Sequence, residues 1–160
     1  MLMLAAVAGG ALAQGSKIDR IEIVEVGVYR AETKTIESAP GTATRQRNIV
    51  TDTRLVAPAT RIEAQIGVHF GMRYRVVGRP SGASVKLTSV THYPAPGLKN
   101  PKAGGIQARG EHPLYATISQ INYRGYVFEH DWELIAGVWT FELFDGDRKL
   151  ASQTFEVVRP

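Results

Sequence analysis

The sequence predicts an all-β fold, and three observations support that prediction. Apolar and polar residues alternate most regularly over residues 68–76, which places five apolar side chains on one face of a strand. Residues 137–158 contain two further alternating runs, joined by an Asp-Gly-Asp turn that is typical of a β-hairpin. No stretch has the apolar period of an amphipathic helix.

The C-terminal hairpin narrows the prediction to one architecture. Trp139, Phe141 and Leu143 fall on one face of its first strand. The Gly-x-Trp-x-Phe-Glu start and the closing Phe-x-Val resemble the final hairpin of immunoglobulin-like domains. We therefore expect an immunoglobulin-like β-sandwich of about eight antiparallel strands in two sheets. Its core should include seven apolar and aromatic residues: Val68, Phe70, Met72, Tyr74, Trp132, Trp139 and Phe141.

The strands can be placed in order along the chain. Before the final hairpin they are expected at residues 18–29, 48–57, 68–76, 85–93, 114–121 and 126–134. The apolar phase of the first run changes near Ile23 and Val24, which predicts a β-bulge. Long loops are expected where the apolar period is lost and Pro, Gly, Ser and Thr are frequent, at residues 31–47 and 94–113.

The N-terminal segment predicts export. Residues 1–13, MLMLAAVAGGALA, carry no charge and end in the small-x-small pattern of a signal peptide, so cleavage is expected between Ala13 and Gln14. The segment is shorter than the roughly 20 apolar residues of a membrane span. Residues 14–160 then form a single domain, periplasmic or secreted. The absence of Cys excludes a disulfide framework, a thiol nucleophile and a lipobox anchor.

Several separated segments of the chain resemble one bacterial family. The runs IEIVEVGVYRAET, FGMRYRVVGRPSGA, YPAPGLKNP, YRGYVFEHDWEL and GVWTFELFDGDRKLASQTF, in this order, are similar to the domain-of-unknown-function family 3859. The resemblance spans roughly residues 18–158. It implies an exported, uncharacterised protein with an immunoglobulin-like domain, and it supplies no catalytic residues.

The acidic segment at residues 129–133 is the sharpest polar cluster. On a strand, Glu129, Asp131 and Glu133 share one face and His130 points to the other. A metal site would therefore need a histidine from elsewhere, namely His69, His92 or His112. The favoured interpretation is a cross-strand charge ladder facing Arg73 and Arg75. No nucleophile motif is present, so neither catalytic residues nor a metal or cofactor is predicted.

The second long loop is the predicted binding site, because end loops of sandwiches often bind partners. Its candidate residues are Tyr93, Lys99, Asn100, Lys102 and Arg109. The net charge of +4 is scattered along the chain and does not indicate a nucleic-acid partner. We expect a non-catalytic binding or protein-interaction module that contacts another envelope protein or an anionic envelope component. The alternative is a periplasmic hydrolase or metal-dependent enzyme that uses residues 129–133.

Overall fold

The computed structural model describes residues 15–160. The predicted signal peptide and its cleavage site lie outside these residues. Over the described range the chain forms nine β-strands and one three-residue 3-10 turn, η1 (Asp131–Glu133). The strands are β1 (Lys17–Ser38), β2 (Gln46–Pro58), β3 (Arg61–Glu63), β4 (His69–Arg79), β5 (Ser84–His92), β6 (Arg109–Thr117), β7 (Ile121–Val127), β8 (Gly137–Asp145) and β9 (Arg148–Val158).

The strands form two sheets, which confirms the predicted all-β sandwich. One sheet has the order β2-β1-β4-β7 and the other the order β3-β9-β8-β5-β6. All strand pairs are antiparallel except β3 with β9. The predicted C-terminal hairpin is β8 and β9, in which Trp139 lies opposite Phe155. Strands β7 and β6 are edges of different sheets, and the candidate functional site lies between them.

The core is an aromatic cluster between the sheets. Phe70 on β4 lies at its centre, and the ring centroids of Trp139, Phe141 and Phe155 from the opposite sheet lie 5.1–5.9 Å from its own. Alternation along β4 accounts for this arrangement, because inward residues Phe70, Met72, Tyr74 and Val76 are all fully buried. Val68 and Trp132, which were also predicted in the core, are only partly buried at its margin.

The first strand is longer than predicted, although its bulge is confirmed. The register of β1 against β4 shifts between Ile23 and Glu25, where the sequence predicts a bulge. The long loop predicted at residues 31–47 was wrong, because β1 continues to Ser38, which pairs with Gln46. This part of the hairpin is largely exposed on both faces and therefore shows no apolar alternation. Only residues 39–45 form the turn.

Strands β6 and β7 begin earlier than predicted. Pro113 was taken as the end of a loop, yet it lies within β6 opposite Thr88. Proline has no backbone N–H to donate, and on the open edge of β6 no neighbouring strand requires one. Residues 128–134 were predicted as strand, but the chain leaves β7 after Val127 and turns through η1. In residues 15–160, no helix has the length and apolar character to cross a membrane.

Candidate functional site

The tip of the β1–β2 hairpin, residues 39–48, closes the open edge of the sandwich. The carbonyl oxygen of Gly41 accepts hydrogen bonds from the backbone N–H of Glu111 at 2.8 Å and from the side-chain amide of Gln107 at 3.0 Å. The Arg47 guanidinium donates to the carbonyl oxygen of Pro113 at 2.6 Å. These contacts fix the hairpin tip to β6 and to the loop that precedes it.

A cavity of about 440 Å³ lies beneath the hairpin tip. The tip and the adjoining part of β2 form one wall, and residues of β4, β5, β6 and β7 and of the segments that follow β5 and β7 form the others. On the side of β7, the amide of Asn48 donates to a carboxylate oxygen of Glu129 at 3.0 Å. The hairpin tip therefore spans from one sheet to the other. The cavity is partly open, and its volume lies within the range of small-molecule sites, roughly 300–1,000 Å³.

Arg124 forms part of the cavity wall and is buried. Its Nε donates to the hydroxyl of Ser89 at 2.6 Å, its Nη2 donates to the hydroxyl of Thr91, and its Nη1 donates to the carbonyl oxygen of Gly125. The guanidinium carbon lies 4.2 Å from the centroid of the Phe141 ring. A cation–π contact and three hydrogen bonds thus hold the guanidinium plane in one orientation.

The positive charge of Arg124 has no carboxylate counter-ion within residues 15–160, since none of their ion pairs includes it. Burial lowers the pKa of Arg124, and nearby tyrosines oppose that shift. His112, also in the cavity wall, is neutral because burial first, then Arg124 and Arg47, lower its pKa to about 3. The cavity therefore contains a buried cation beside a neutral imidazole.

Glu133 is the buried carboxylate of the cavity wall, and both of its oxygens have hydrogen-bond partners. One oxygen contacts Nδ1 of His130 at 2.6 Å and accepts from the backbone N–H of Glu129 at 3.3 Å. The other accepts from the Tyr126 hydroxyl. Burial raises the pKa of Glu133, while the bonds from Tyr126 and His130 oppose the rise. Glu133 is thus held by local donors and does not neutralise Arg124.

The predicted acidic face at residues 129–133 was wrong, because these residues do not form a strand. Turn η1 brings His130 and Glu133 together at a spacing of three residues, whereas strand alternation would have separated them. His130 stacks on Trp132 with ring centroids 5.3 Å apart. This stacking leaves Trp132 at the margin of the core.

The predicted charge ladder was also wrong. Glu129 binds Asn48, and Arg73 lies 3.5 Å from a carboxylate oxygen of Glu25 on β1. Arg75 forms no ion pair with the acidic segment among the residues described. Within residues 15–160, no three His, Cys, Asp or Glu side chains converge in a metal-binding arrangement.

Two of the predicted loop residues support the cavity. Tyr93 is buried, lines the cavity and packs edge-on against Trp139 with ring centroids 5.2 Å apart. Asn100 donates from its side-chain amide to the carbonyl oxygen of Ala43 at 3.0 Å. This bond shows that the two regions predicted as long loops lie at the same end of the sandwich, a point that the sequence left open.

The three predicted cations lie on the surface. Lys99 and Lys102 are exposed, and neither forms an ion pair with another described residue. Arg109 pairs with Glu111 at 2.6 Å, with both side chains about half exposed. None of these three residues lines the cavity, so the structure separates them from Tyr93.

Sequence reasoning missed Arg124, the most informative residue of the site. A signal was present, because Arg124 alternates in phase with Tyr126 and Phe128, and Phe128 is fully buried. A charged residue in phase with inward aromatics of a strand indicates a buried charge, which is rare without a partner or a function. Placing the strand at residues 126–134 excluded Arg124 from consideration.

The two packed sheets and the cross-sheet aromatic core define an immunoglobulin-like β-sandwich. The chain belongs to the family described as "Domain of unknown function (DUF3859)", whose family profile matches residues 17–157. The resemblance that the sequence motifs indicate is therefore confirmed.

A solved structure supports this fold. The chain is similar to an immunoglobulin-like protein from Pseudomonas aeruginosa, with 25% sequence identity and a TM-score of 0.58, over 92% of this chain and 100% of that one. It also matches a beta-D-glucoside glucohydrolase from Trichoderma reesei, with 12% identity and a TM-score of 0.38, over 87% of this chain and 19% of that one. A search of curated proteins finds no match.

Proposed function

We propose that the chain is a non-catalytic binding module of the bacterial cell envelope and that its ligand site is the cavity beneath the hairpin tip. The observation that carries this proposal is the buried guanidinium of Arg124, which lines a cavity of about 440 Å³ without a carboxylate partner among the described residues. An unpaired buried charge is costly in an apolar core. A bound ligand that completes its interactions explains why the sandwich contains it.

Envelope location is the second part of the proposal. It is supported by residues 1–13, which carry the features of a signal peptide, and by the absence of a cysteine that could carry a lipid anchor. In that compartment the exposed Lys99 and Lys102 provide a second contact, with another envelope protein or an anionic envelope component. Their loop is joined to the hairpin tip through Asn100, so a partner bound there lies next to the cavity.

A periplasmic hydrolase is the second candidate, and one contact favours it. Nδ1 of the half-exposed His130 lies 2.6 Å from a buried oxygen of Glu133, and a carboxylate that orients an imidazole is typical of a general base. Among residues 15–160, however, no serine or threonine hydroxyl is hydrogen-bonded to this imidazole. Nor do these residues include a metal-binding cluster that could activate water. If the chain is a hydrolase of this kind, His130→Ala abolishes turnover while the fold persists.

The cavity site can be tested by nuclear magnetic resonance. Acidic, neutral and basic aromatic fragments are titrated into ¹⁵N-labelled protein, and the backbone amides of Thr42, Thr91 and Tyr93 report on the cavity. We expect fragments to shift these amides, and Thr44→Trp to prevent the shifts by filling the cavity mouth. Thr35→Trp, on the exposed part of the same hairpin and outside the cavity, is the matched control. If no fragment of any charge shifts the cavity amides, the proposed site is wrong.

The surface contact requires a separate experiment. Envelope extract is passed over immobilised wild-type protein and over a variant in which Lys99, Lys102 and Arg109 are changed to Ala. Because these side chains are exposed, the variant should keep its stability and lose the partner. Equal recovery of partners by the two proteins would count against a role for the loop cations.

A further inference from the structure

We propose that Arg124 recognises a single carboxylate, carried by a ligand whose aromatic or aliphatic body fills the cavity beneath the hairpin tip. This inference rests on the proposed function, because it names the chemical class of ligand for the same cavity. The supporting features are the unused donors of Arg124, the charge balance of the cavity wall, the unpartnered hydroxyl of Tyr123 and the side chains that line the cavity.

The unused donors set the geometry of recognition. A guanidinium carries five N–H groups, one on Nε and two on each terminal nitrogen. Three of them reach Ser89, Thr91 and the carbonyl oxygen of Gly125. One N–H on Nη1 and one on Nη2 therefore have no acceptor among the described residues. Two such groups on one planar guanidinium match the two oxygens of a carboxylate.

The charge balance favours a monoanion over a dianion such as phosphate. Arg124 provides one uncompensated positive charge, and His112 beside it is neutral. Arg47, at the cavity mouth, is already paired with Glu37 at 2.7 Å. A second negative charge would therefore enter a site that contains one free cation among the described residues and a buried carboxylate at Glu133, which is unfavourable in a low dielectric.

Tyr123 provides an independent indication that a polar group is missing from the cavity. It lines the cavity on β7, and its hydroxyl is buried without a hydrogen-bond partner in the described part of the chain. Buried hydroxyls nearly always have partners, so each exception needs an explanation. Tyr123 alternates out of phase with Arg124 along β7, so its hydroxyl lies beside Gly125 on the other side of that strand. A ligand oxygen that reaches this side of the cavity would supply the partner.

The rest of the wall defines the body of the ligand. Aromatic and aliphatic side chains line the cavity, including Tyr93, Tyr126, Leu114 and Val50. Such surfaces favour a flat or branched apolar group, because its burial removes apolar area from water. Both a small organic acid and the C-terminal residue of a peptide carry this combination of a carboxylate and an apolar body.

Matched probes test the proposal. 3-Phenylpropanoate, its neutral amide 3-phenylpropanamide and the cation 3-phenylpropylamine are titrated into ¹⁵N-labelled protein while the cavity amides are followed. The tripeptide acetyl-Gly-Gly-Phe, with a free C-terminus, is compared with its C-terminal amide. We expect each carboxylate to bind about 10- to 100-fold more tightly than its amide, the range for a charge-assisted hydrogen-bonded pair. Tighter binding of the tripeptide acid than of 3-phenylpropanoate would identify a peptide end as the source.

Two variants attribute that preference to one residue. Arg124→Gln should remove the preference for acid over amide. Arg75→Gln is the matched control and should keep the preference, because Arg75 is an exposed residue of β4 outside the cavity. Both substitutions change the net charge equally. If Arg124→Gln does not fold, Tyr123→Phe is the second test. It keeps the ring, and the affinity for 3-phenylpropanoate should fall by about threefold or more.

The possible failures are distinct. Equal affinity for acid and amide, or an acid preference that survives Arg124→Gln, overturns carboxylate recognition and leaves cavity binding in place. Preferential binding of 3-phenylpropylamine also overturns carboxylate recognition and leaves cavity binding in place. It would indicate Glu133 as the recognising group. If none of the five probes shifts the cavity amides, both carboxylate recognition and the proposed binding site are wrong.

Discussion

The guanidinium of Arg124 stacks over the ring of Phe141, across the interface between the two sheets, with its carbon 4.2 Å from the ring centroid. Arg124 comes from an edge strand, β7, and Phe141 comes from the middle of the opposite sheet. The charge is therefore placed where the core meets the cavity. The flat face of the guanidinium contributes to core packing, and the N–H groups at its edge supply hydrogen bonds.

This arrangement predicts how stability depends on the polar cluster around Arg124. Ser89→Ala removes the acceptor of Nε and should lower the free energy of unfolding by about 1–3 kcal/mol, because a charged donor remains buried. The triple variant Arg124→Met, Ser89→Ala, Thr91→Val removes the charge together with its acceptors. It should be at least as stable as Ser89→Ala alone, since apolar replacements of buried ionic groups are often neutral or stabilising.

Urea denaturation of these variants provides the measurement. Wild-type protein and Thr91→Val alone complete the comparison, and the same slope with denaturant is needed for a valid difference. A triple variant clearly less stable than Ser89→Ala would show that Arg124 contributes net stability to the core. In that case a structural role would account for Arg124 without a ligand.

Trp139 should be the most costly aromatic residue to remove. It is fully buried and its indole N–H donates to the carbonyl oxygen of Ile135 at 3.0 Å. Trp139→Ala should lower the free energy of unfolding by about 3–5 kcal/mol. Trp132→Ala is the matched control, because Trp132 is only partly buried and stacks on the half-exposed His130. Equal losses in the two variants would contradict the placement of Trp139 in the core.

The close approach of Gly41 to β6 predicts a local effect. A Cβ at Gly41 would overlap the carbonyl oxygen of Glu111, whereas a Cβ at Gly104 would meet nothing within 4 Å. Gly41→Ala should therefore loosen the hairpin tip, and the Glu111 amide that bonds Gly41 should exchange hydrogen about tenfold faster. Gly104→Ala should leave that exchange unchanged. Identical protection in both variants would show that the hairpin tip does not depend on this contact.

His112 predicts a pH dependence of stability. Its pKa in the folded protein is about 3, below the ordinary value of 6.5, so the unfolded chain binds a proton first as the pH falls. The stability associated with a neutral His112 is present above about pH 6.5 and is lost progressively toward pH 3. Between pH 7.5 and pH 5 the expected loss is about 2 kcal/mol.

Denaturation at these two pH values tests the effect, with His112→Gln as the comparison. Glutamine is neutral throughout, so the variant should lose about 2 kcal/mol less than the wild type over the same interval. The His112 ring resonances of the folded wild type should also not titrate between pH 5 and pH 7.5. A titrating resonance in this interval would contradict a neutral buried imidazole.

The proposed export predicts a defined mature chain. Protein recovered from cells in which its natural gene is expressed should begin at Gln14 and be found in the periplasmic or secreted fraction. Intact-mass measurement distinguishes this product from the full 160-residue chain. Retention of Met1 to Ala13, or recovery in the cytoplasm, would reject the proposed location.

The sequence determined the fold class through local periodicity. Alternation over β4 and over the β8–β9 hairpin is a property of neighbouring residues, so the sandwich, the burial of Phe70 and Trp139 and the bulge near Ile23 could be predicted from it. Local periodicity did not predict the strand where burial does not alternate, as in the largely exposed outer part of β1. It also failed at Pro113, because only the edge position of β6 makes a proline acceptable there.

The tertiary structure alone decided the site, because the site depends on contacts between residues far apart in the chain. Tyr93 and Asn100 were predicted as binding residues, yet only the packing of the hairpin tip across the edges of the two sheets shows that one lines a cavity and the other supports its cover. Arg124 meets Ser89 at a separation of 35 residues, which no local pattern encodes. Periodicity specifies which face a side chain occupies, whereas the packing of the two sheets determines what that side chain contacts.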